Sequence, residues 1–152
     1  MENEITSFDG GYSFLSNFFS CNIFYEGKNY TSSEHLYQSL MCLRSEDAER
    51  VRLAITPGSA KRIAHQVERN HKIHRPSAML IAVTLKFFQN DDLMYKLLET
   101  RTMRLVEGNA WGDTYWGVCD GVGHNILGSI LMMVRLNALS ACLIHDDEFM
   151  KG

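Results

Sequence analysis

Apolar positions at helical spacing fill most of the chain, in blocks separated by short polar breaks. In YTSSEHLYQSLMCLR, Leu36, Leu40 and Leu43 form a stripe at intervals of four and three. Thr31 and Glu34 before it stand in the S/T-x-x-E relation of a capping box. SEDAERVRLAI predicts a second helix, with Ser45 as cap and acids in the first turn. TPGSAKRIAHQV predicts a third from Thr56-Pro57, because proline suits the first helical turn. ERNHKIHR is polar apart from Ile73 and reads as a connection. PSAMLIAVTLKFFQN is apolar nearly all round, as a central buried helix would be. DDLMYKLLET follows, with Asn90 as its cap, and NILGSILMMVRLNALSACL is the last long helix.

Period-two signals are fewer. NIFYEGKNY sets aromatic and β-branched residues around Glu26-Gly27, the signature of a hairpin. ITSF and MRLVEG read as short extended pieces. The expected fold is mainly α: a compact single domain over 1–152 of about six helices with a short N-terminal β-hairpin.

Composition narrows the function classes. At 152 residues the chain is long enough to bury a core without staples. A net charge of −3 argues against a protein that holds long nucleic acid by charge alone, since that requires a basic face. The four cysteines, at 21, 42, 119 and 142, have no zinc spacing and no signal peptide before them, so reduced thiols and a cytoplasmic location are expected. The apolar run Ile126 to Leu139 is interrupted by Gly128, Ser129, Arg135 and Asn137 and reads as too short and polar for a bilayer. His65, His71 and His74 have no carboxylate or thiol at a ligand spacing, and no metal is expected.

Candidate chemistry concentrates in three places. DTYWGVCDGVGHN, 113–125, lacks any regular period. Its glycines are not a dinucleotide fingerprint, but Gly121 and Gly123 lead into a helix start near Asn125, where backbone N–H groups could cradle an anion. Trp111, Tyr115 and Trp116 offer faces for a base. Asp113 is either an Asx-turn residue or a group that orients a sugar hydroxyl or water. Glu34 is either the cap residue or one wall of a polar pocket with Tyr37, Gln38 and Met41, which share its helix face; His35 faces elsewhere as a satisfied, partly buried histidine. Lys61 is either a solvated lysine or an amine held beside a pocket and able to attack an aldehyde-like carbon.

FLSNFF, YTSSEHLYQSLM, KFFQN, RLVEGNAWGDTYWG and GVGHNILGSILMMVR follow one another in the order and spacing of the NADAR family, which the chain resembles over about residues 8–136, with the motif-bearing core reaching about 140. The resemblance implies a mainly α fold with a nucleotide-sugar pocket and N-glycoside hydrolase activity. One branch of the family removes ADP-ribose from guanine in nucleic acid. Another cleaves the base from ribose-phosphate intermediates of riboflavin synthesis. Carried over by motif, Glu34 is the active-site glutamate of SEH and Lys61 the amine that captures the opened ribose as a Schiff base. Asp113, Trp116 and Gly117 belong to D-x-x-WG, and Gly123, Asn125, Gly128 and Arg135 to the ending. Catalysis is thus expected at Glu34, Lys61 and Asp113. Substrate binding is expected at Asn17, Phe18, Tyr37, Gln38, Trp116, Gly117, Gly121, Gly123, Asn125 and Gly128. No cofactor is implied; the expected partner is an ADP-ribose-type nucleotide, free or on DNA or RNA, with no membrane. Relatives carry a Trp near the position of His71, and this chain does not, which bears on base specificity. The rival classes are a riboflavin-intermediate glycosidase and a non-catalytic reader of ADP-ribose or NAD.

Overall fold

The hairpin forms where the sequence places it. β2 (Ile23–Tyr25) and β3 (Lys28–Tyr30) pair antiparallel, with Ile23 opposite Tyr30. Glu26 (φ 47°) and Gly27 (φ 78°) turn the chain in the left-handed region that a two-residue hairpin loop requires. The outward backbone of Phe24 is paired by a side chain: its N–H donates to Gln89 Oε1 at 2.7 Å, and Gln89 Nε2 donates to its carbonyl at 2.8 Å. Asn90 Nδ2 adds a bond to the Asn22 carbonyl at 2.8 Å.

The computed structural model describes the chain from Asn3 to Phe149. Two further pairings are two residues long. β1 (Glu4–Ile5) lies parallel to β4 (Arg104–Leu105), and β5 (Gly108–Asn109) parallel to β6 (Val118–Cys119). A 3-10 turn, Gly10–Leu15, leads into the hairpin.

Among the described residues six α-helices follow, in the predicted order: α1 (Ser33–Leu40), α2 (Ser45–Arg52), α3 (Pro57–Gln66), α4 (Arg75–Phe88), α5 (Asp91–Glu99) and α6 (Ile126–Phe149). Several ends differ from the expectation. α1 is capped by Ser32, not Thr31: Ser32 Oγ accepts from the His35 N–H at 3.1 Å, which frees Glu34 from any capping duty. Leu43 is exposed because the helix has already ended at Leu40, so the predicted stripe loses its last member. Ser45 is the first residue of α2 rather than its cap, and Arg44 holds the cap position without a side-chain bond. Thr56 does cap α3, in a reciprocal box with Ser59. Asn90 takes the cap position of α5, but its amide is spent on the Lys86 and Asn22 carbonyls.

α4 lies at the centre, packed on α1, α5 and α6. Ala78, Met79, Ala82, Val83 and Phe87 face the core, while Ile81 and Phe88 are exposed, so the helix is buried on one side rather than all round. Burying these side chains and those of α6 is the main favourable contribution, about 1.5–3 kcal/mol for each large apolar group. α6 buries Leu127, Ile130, Leu131, Val134 and Ala138, and the buried Arg135 donates to Thr100 Oγ1 at 2.7 Å. With 24 residues it runs past its predicted end. Its span Ile126–Ile144 is long and apolar enough to cross a bilayer by length and composition, which corrects the reading of an interrupted run; here its first half is spent on the core. A smaller cluster, Cys42, Val51, Ala60 and Ala64, joins α2 and α3.

Candidate active site

A cleft of ≈ 1130 Å³ opens between α1, α3, the 67–74 connection, the 107–116 segment and the N-terminal residues 7–18. Its volume is just above the usual range for small-molecule sites, so it has room for a nucleotide.

Glu34 is 5% exposed on the cleft wall. Both its oxygens accept hydrogen bonds, Oε2 from Asn17 Nδ2 at 3.1 Å and Oε1 from Gln38 Nε2 at 2.8 Å. Each donor is itself fixed. Asn17 Oδ1 accepts from Ser33 Oγ at 2.7 Å, and Gln38 Oε1 accepts from Arg69 Nη1 at 2.9 Å. The Asn17 carbonyl accepts the Glu34 N–H at 3.1 Å, which locks the N-terminal segment onto the start of α1. The carboxylate is therefore held in one orientation by a continuous network. His35, on the other face, is satisfied at both nitrogens, by Ser32 Oγ at 2.7 Å and the Ala54 carbonyl at 2.9 Å; a carbonyl only accepts, so the proton sits on Nε2.

Lys61, on the first turns of α3, is half-buried on the same cleft wall. No ion pair engages it among the described residues. The cleft thus brings together the two side chains on which sequence reasoning placed the chemistry. His65, one turn along, also lines it. Burial pushes its pKa below the usual value, and the Arg69 and Lys61 charges push the same way.

The aromatic wall is built on a turn. Asp113 Oδ1 accepts the N–H groups of Tyr115 (3.1 Å) and Trp116 (2.9 Å), so one oxygen of Asp113 plays the Asx-turn part. The turn sets Trp116 edge-on to Tyr37, with ring centroids 5.4 Å apart, and to Tyr115 at 4.8 Å. Arg75, the first residue of α4, lies 4.1 Å over the Tyr115 ring. Phe18 and the exposed Trp111 complete the rim.

The glycine-rich part of the loop does not reach the cleft. Gly117, Gly121, Gly123, Asn125 and Gly128 lie off its wall, apart from the other residues expected to bind substrate. Four of the N–H groups expected to cradle an anion at the start of α6 are engaged within the loop itself. The N–H groups of His124, Asn125, Ile126 and Leu127 donate to the carbonyls of Thr114, Gly117, Tyr115 and Trp116 at 2.8–3.3 Å. These residues build the loop instead. Asn125, in the left-handed region (φ 52°), donates from Nδ2 to the Leu105 carbonyl at 2.9 Å and accepts the Glu107 N–H at 3.0 Å. A Cβ on Gly128 would collide with the Leu105 carbonyl oxygen, so the glycine is what lets α6 approach β4.

Sequence reasoning missed several residues. Arg69 and Arg75 line the cleft from what reads as a plain polar connection, alongside His71, near whose position relatives carry a Trp; Arg69 is drawn in by an antiparallel bridge to Cys42. Glu107 was passed over as part of an extended piece. Its Oε2 is buried with no hydrogen-bond partner, and burial pushes its pKa up to about 7, with Asp113 and Glu34 adding to the rise and Lys61 opposing it. Lys86, 1% exposed in the core side of α4, donates to the Ser16 carbonyl at 2.8 Å and lies between the Phe19 and Phe87 rings. Burial lowers its pKa to about 7, with Cys21 acting weakly the other way.

A mainly α chain with a polar, aromatic-rimmed cleft beside its first helix is the class that fold and site define. The NADAR domain family matches residues 6–138, and the chain belongs to that family. It is 36% identical over 132 residues to a riboflavin biosynthesis protein of Vibrio vulnificus, an alignment covering 84% of this chain and 36% of that protein. It is 33% identical over 129 residues to the N-glycosidase YbiA of Escherichia coli, covering 82% of this chain and 80% of the relative. The chain therefore spans about a third of the Vibrio relative's length and four fifths of YbiA's. The solution NMR structure of E. coli YbiA superposes with a TM-score of 0.83 at 29% identity, covering 94% of this chain and 89% of that one. The expected family and the expected fold both stand.

Proposed function

We propose that the chain removes ADP-ribose from guanine by hydrolysing the C1–N bond between ribose and base. At the coarser level, a NADAR-family chain with N-glycosidase relatives is a hydrolase acting on N-glycosyl bonds. One observation carries the finer reading: the Glu34 carboxylate, oriented by Asn17 and Gln38, shares a cleft with the Lys61 amine, which has no ion-pair partner among the described residues. A reader that only binds needs neither a held carboxylate nor a nucleophile.

In this reading Glu34 holds the ribose hydroxyls and exchanges protons with the sugar as C1 gains oxocarbenium character. Lys61 attacks C1 as the ring opens, and water hydrolyses the resulting imine. Arg75 takes the phosphate part, the role the α6 terminus cannot play, because its guanidinium lies at the cleft with no ion-pair partner among the described residues. Tyr115 and Trp116 support the base or ribose, and Asp113 holds their turn and orients water.

A second reading, hydrolysis of a ribose-phosphate intermediate of riboflavin synthesis, is favoured by the name of the Vibrio relative. Both substrates present ribose C1 bonded to an amine on a purine- or pyrimidine-type base. Parallel incubation with ADP-ribosylated guanine in DNA and with the riboflavin intermediates, with released base read by mass spectrometry, separates them. Lys61→Ala is expected to lose at least about 100-fold in kcat and to abolish the adduct that borohydride traps in the wild type. Unchanged turnover in that variant removes lysine from the scheme. Activity surviving in Glu34→Gln removes Glu34 from the proton transfers on the sugar.

A further inference from the structure

Breaking a ribosyl–amine bond requires a proton on the departing nitrogen, and none of the groups placed so far supplies it. Glu34 has both oxygens engaged by amide donors, Asn17 Nδ2 and Gln38 Nε2, so it is arranged as an acceptor. Lys61 is committed to C1. Glu107 is a third ionisable group on the cleft wall, and its environment is the opposite of that of Glu34. Oε2 is buried and touches no donor. The backbone beneath it is clamped at both ends: its N–H donates to Asn125 Oδ1 at 3.0 Å, and its carbonyl accepts from the Val118 N–H at 2.9 Å. The side chain is therefore presented from a short link between β4 and β5 whose backbone is held on both sides. A buried carboxyl oxygen without a donor is costly as an anion and inexpensive as an O–H.

We infer that Glu107 is the general acid of the reaction, donating its carboxyl proton to the leaving nitrogen while Glu34 acts on the sugar. This rests on the hydrolase reading above and divides its proton work between two carboxyls. As the C1–N bond breaks, its electron pair goes to nitrogen, which takes the Glu107 proton. Water then hydrolyses the Lys61 imine: its oxygen goes to C1 as the C1–Nζ bond breaks, one of its protons returns to the Lys61 nitrogen, and the other restores the Glu107 carboxyl. The overall change is substrate plus water to free sugar and free base.

The surroundings raise the Glu107 pKa to about 7, so a substantial share of the carboxyl keeps its proton up to near-neutral pH. Burial is the main cause, and the negative groups facing it, Asp113 from the turn and Glu34 from α1, add to it; Lys61 from α3 acts against. Asp9, Tyr37, His65, Arg69, His71, Arg75 and Tyr115 are the other charged or titratable groups on the cleft wall. Two carboxyls in one site with different surroundings, one hydrogen-bonded and one desolvated, is the arrangement that lets a single enzyme run acid and base steps at one pH. The sign is definite: the donor is active below its pKa, so kcat/KM falls as pH rises through about 7.

The test uses Glu107→Gln, which keeps shape and size but has no proton to give. Two substrates are compared: an amine-linked one, ADP-ribosyl-guanosine, and a pyridinium N-riboside, NAD, whose nicotinamide leaves neutral and needs no proton. The variant is expected to lose about 100-fold or more on the first and less than about 10-fold on the second, and to lose the alkaline limb near pH 7. Equal losses on both substrates, or a limb that persists in the variant, overturns the assignment. Carbon-13 NMR titration of the Glu107 carboxyl in the wild type gives a readout that needs no turnover. Ionisation in the ordinary glutamate range refutes the acid role even if the enzyme is active. A neutral carboxyl near pH 7 with no N-glycosidase activity on any substrate instead sinks the functional reading and the acid role with it, while leaving the buried, protonated carboxyl as a structural fact.

Discussion

Lys86 offers the sharpest quantitative test of the packing. Its ammonium has left water for a place between two phenyl rings with one carbonyl partner, Ser16 O. Its pKa is lowered from 10.5 to about 7, a difference of 3.5, and each pH unit corresponds to about 1.4 kcal/mol. A lysine with a depressed folded pKa binds fewer protons folded than unfolded between those two values, so stability rises with pH across that window. From pH 7 to 9 the gain from this residue alone is roughly 2 kcal/mol. Other groups titrate in the same range: the raised pKa values of Cys21, Tyr30 and Tyr37 work in the opposite direction at higher pH. Lys86→Met isolates the lysine, because those groups remain in both proteins. In urea titrations at pH 7, 8 and 9, the stability of the wild type relative to Lys86→Met should climb by roughly 2 kcal/mol, a relative midpoint shift of about 1 M. The Ser16 carbonyl loses its donor in the variant at every pH, a fixed cost of about 1–3 kcal/mol that moves the offset and not the slope. A difference that is flat from pH 7 to 9 refutes the account of a desolvated, titrating amine.

Two further substitutions probe the loop and the rim. Gly128→Ala should destabilise by about 2–4 kcal/mol in thermal or urea unfolding, since the new methyl meets the Leu105 carbonyl and the Asn125 amide together; a loss under about 0.5 kcal/mol would show that α6 can slide away from β4. Arg75→Ala should raise KM about ten-fold for a phosphate-bearing substrate with little change in melting temperature, because the exposed guanidinium lies over Tyr115 at the cleft and supports no core contact. An equal KM for substrates with and without the phosphate, in wild type and variant alike, removes Arg75 from the binding site.

Helix order and the hairpin were legible because both rest on repeated local signals, apolar period and a Glu-Gly turn. What failed was local choice among equivalents. Thr31, Ser32 and Ser33 can each cap a helix; Ser32 prevails because its hydroxyl serves both the His35 N–H and the His35 ring. That one-residue shift turns Glu34 from a cap into a cleft residue. The glycine loop misled for a different reason. Free N–H groups at a helix start can be counted from sequence, but the carbonyls of 114–117 that satisfy them appear only when the loop folds back. Glu107 has no signal of its own in the sequence. A lone acid in a short extended piece becomes unusual only once α1 and the Asp113 turn close around it. Arg69 and Arg75 lie in a polar run whose composition matches any surface connection, and a single bridge to Cys42 draws that run to the cleft.

The Gln89 amide that pairs with Phe24 acts as a borrowed strand. It occupies the hydrogen-bonding edge through which an extended peptide or a neighbouring copy would otherwise add to the hairpin. The molecule thereby closes an aggregation-prone border with one side chain instead of a third strand. The hairpin tip at Glu26-Gly27 lies outside that clamp. A short tag or fluorophore grafted there would report on the protein without disturbing either the seal or the cleft.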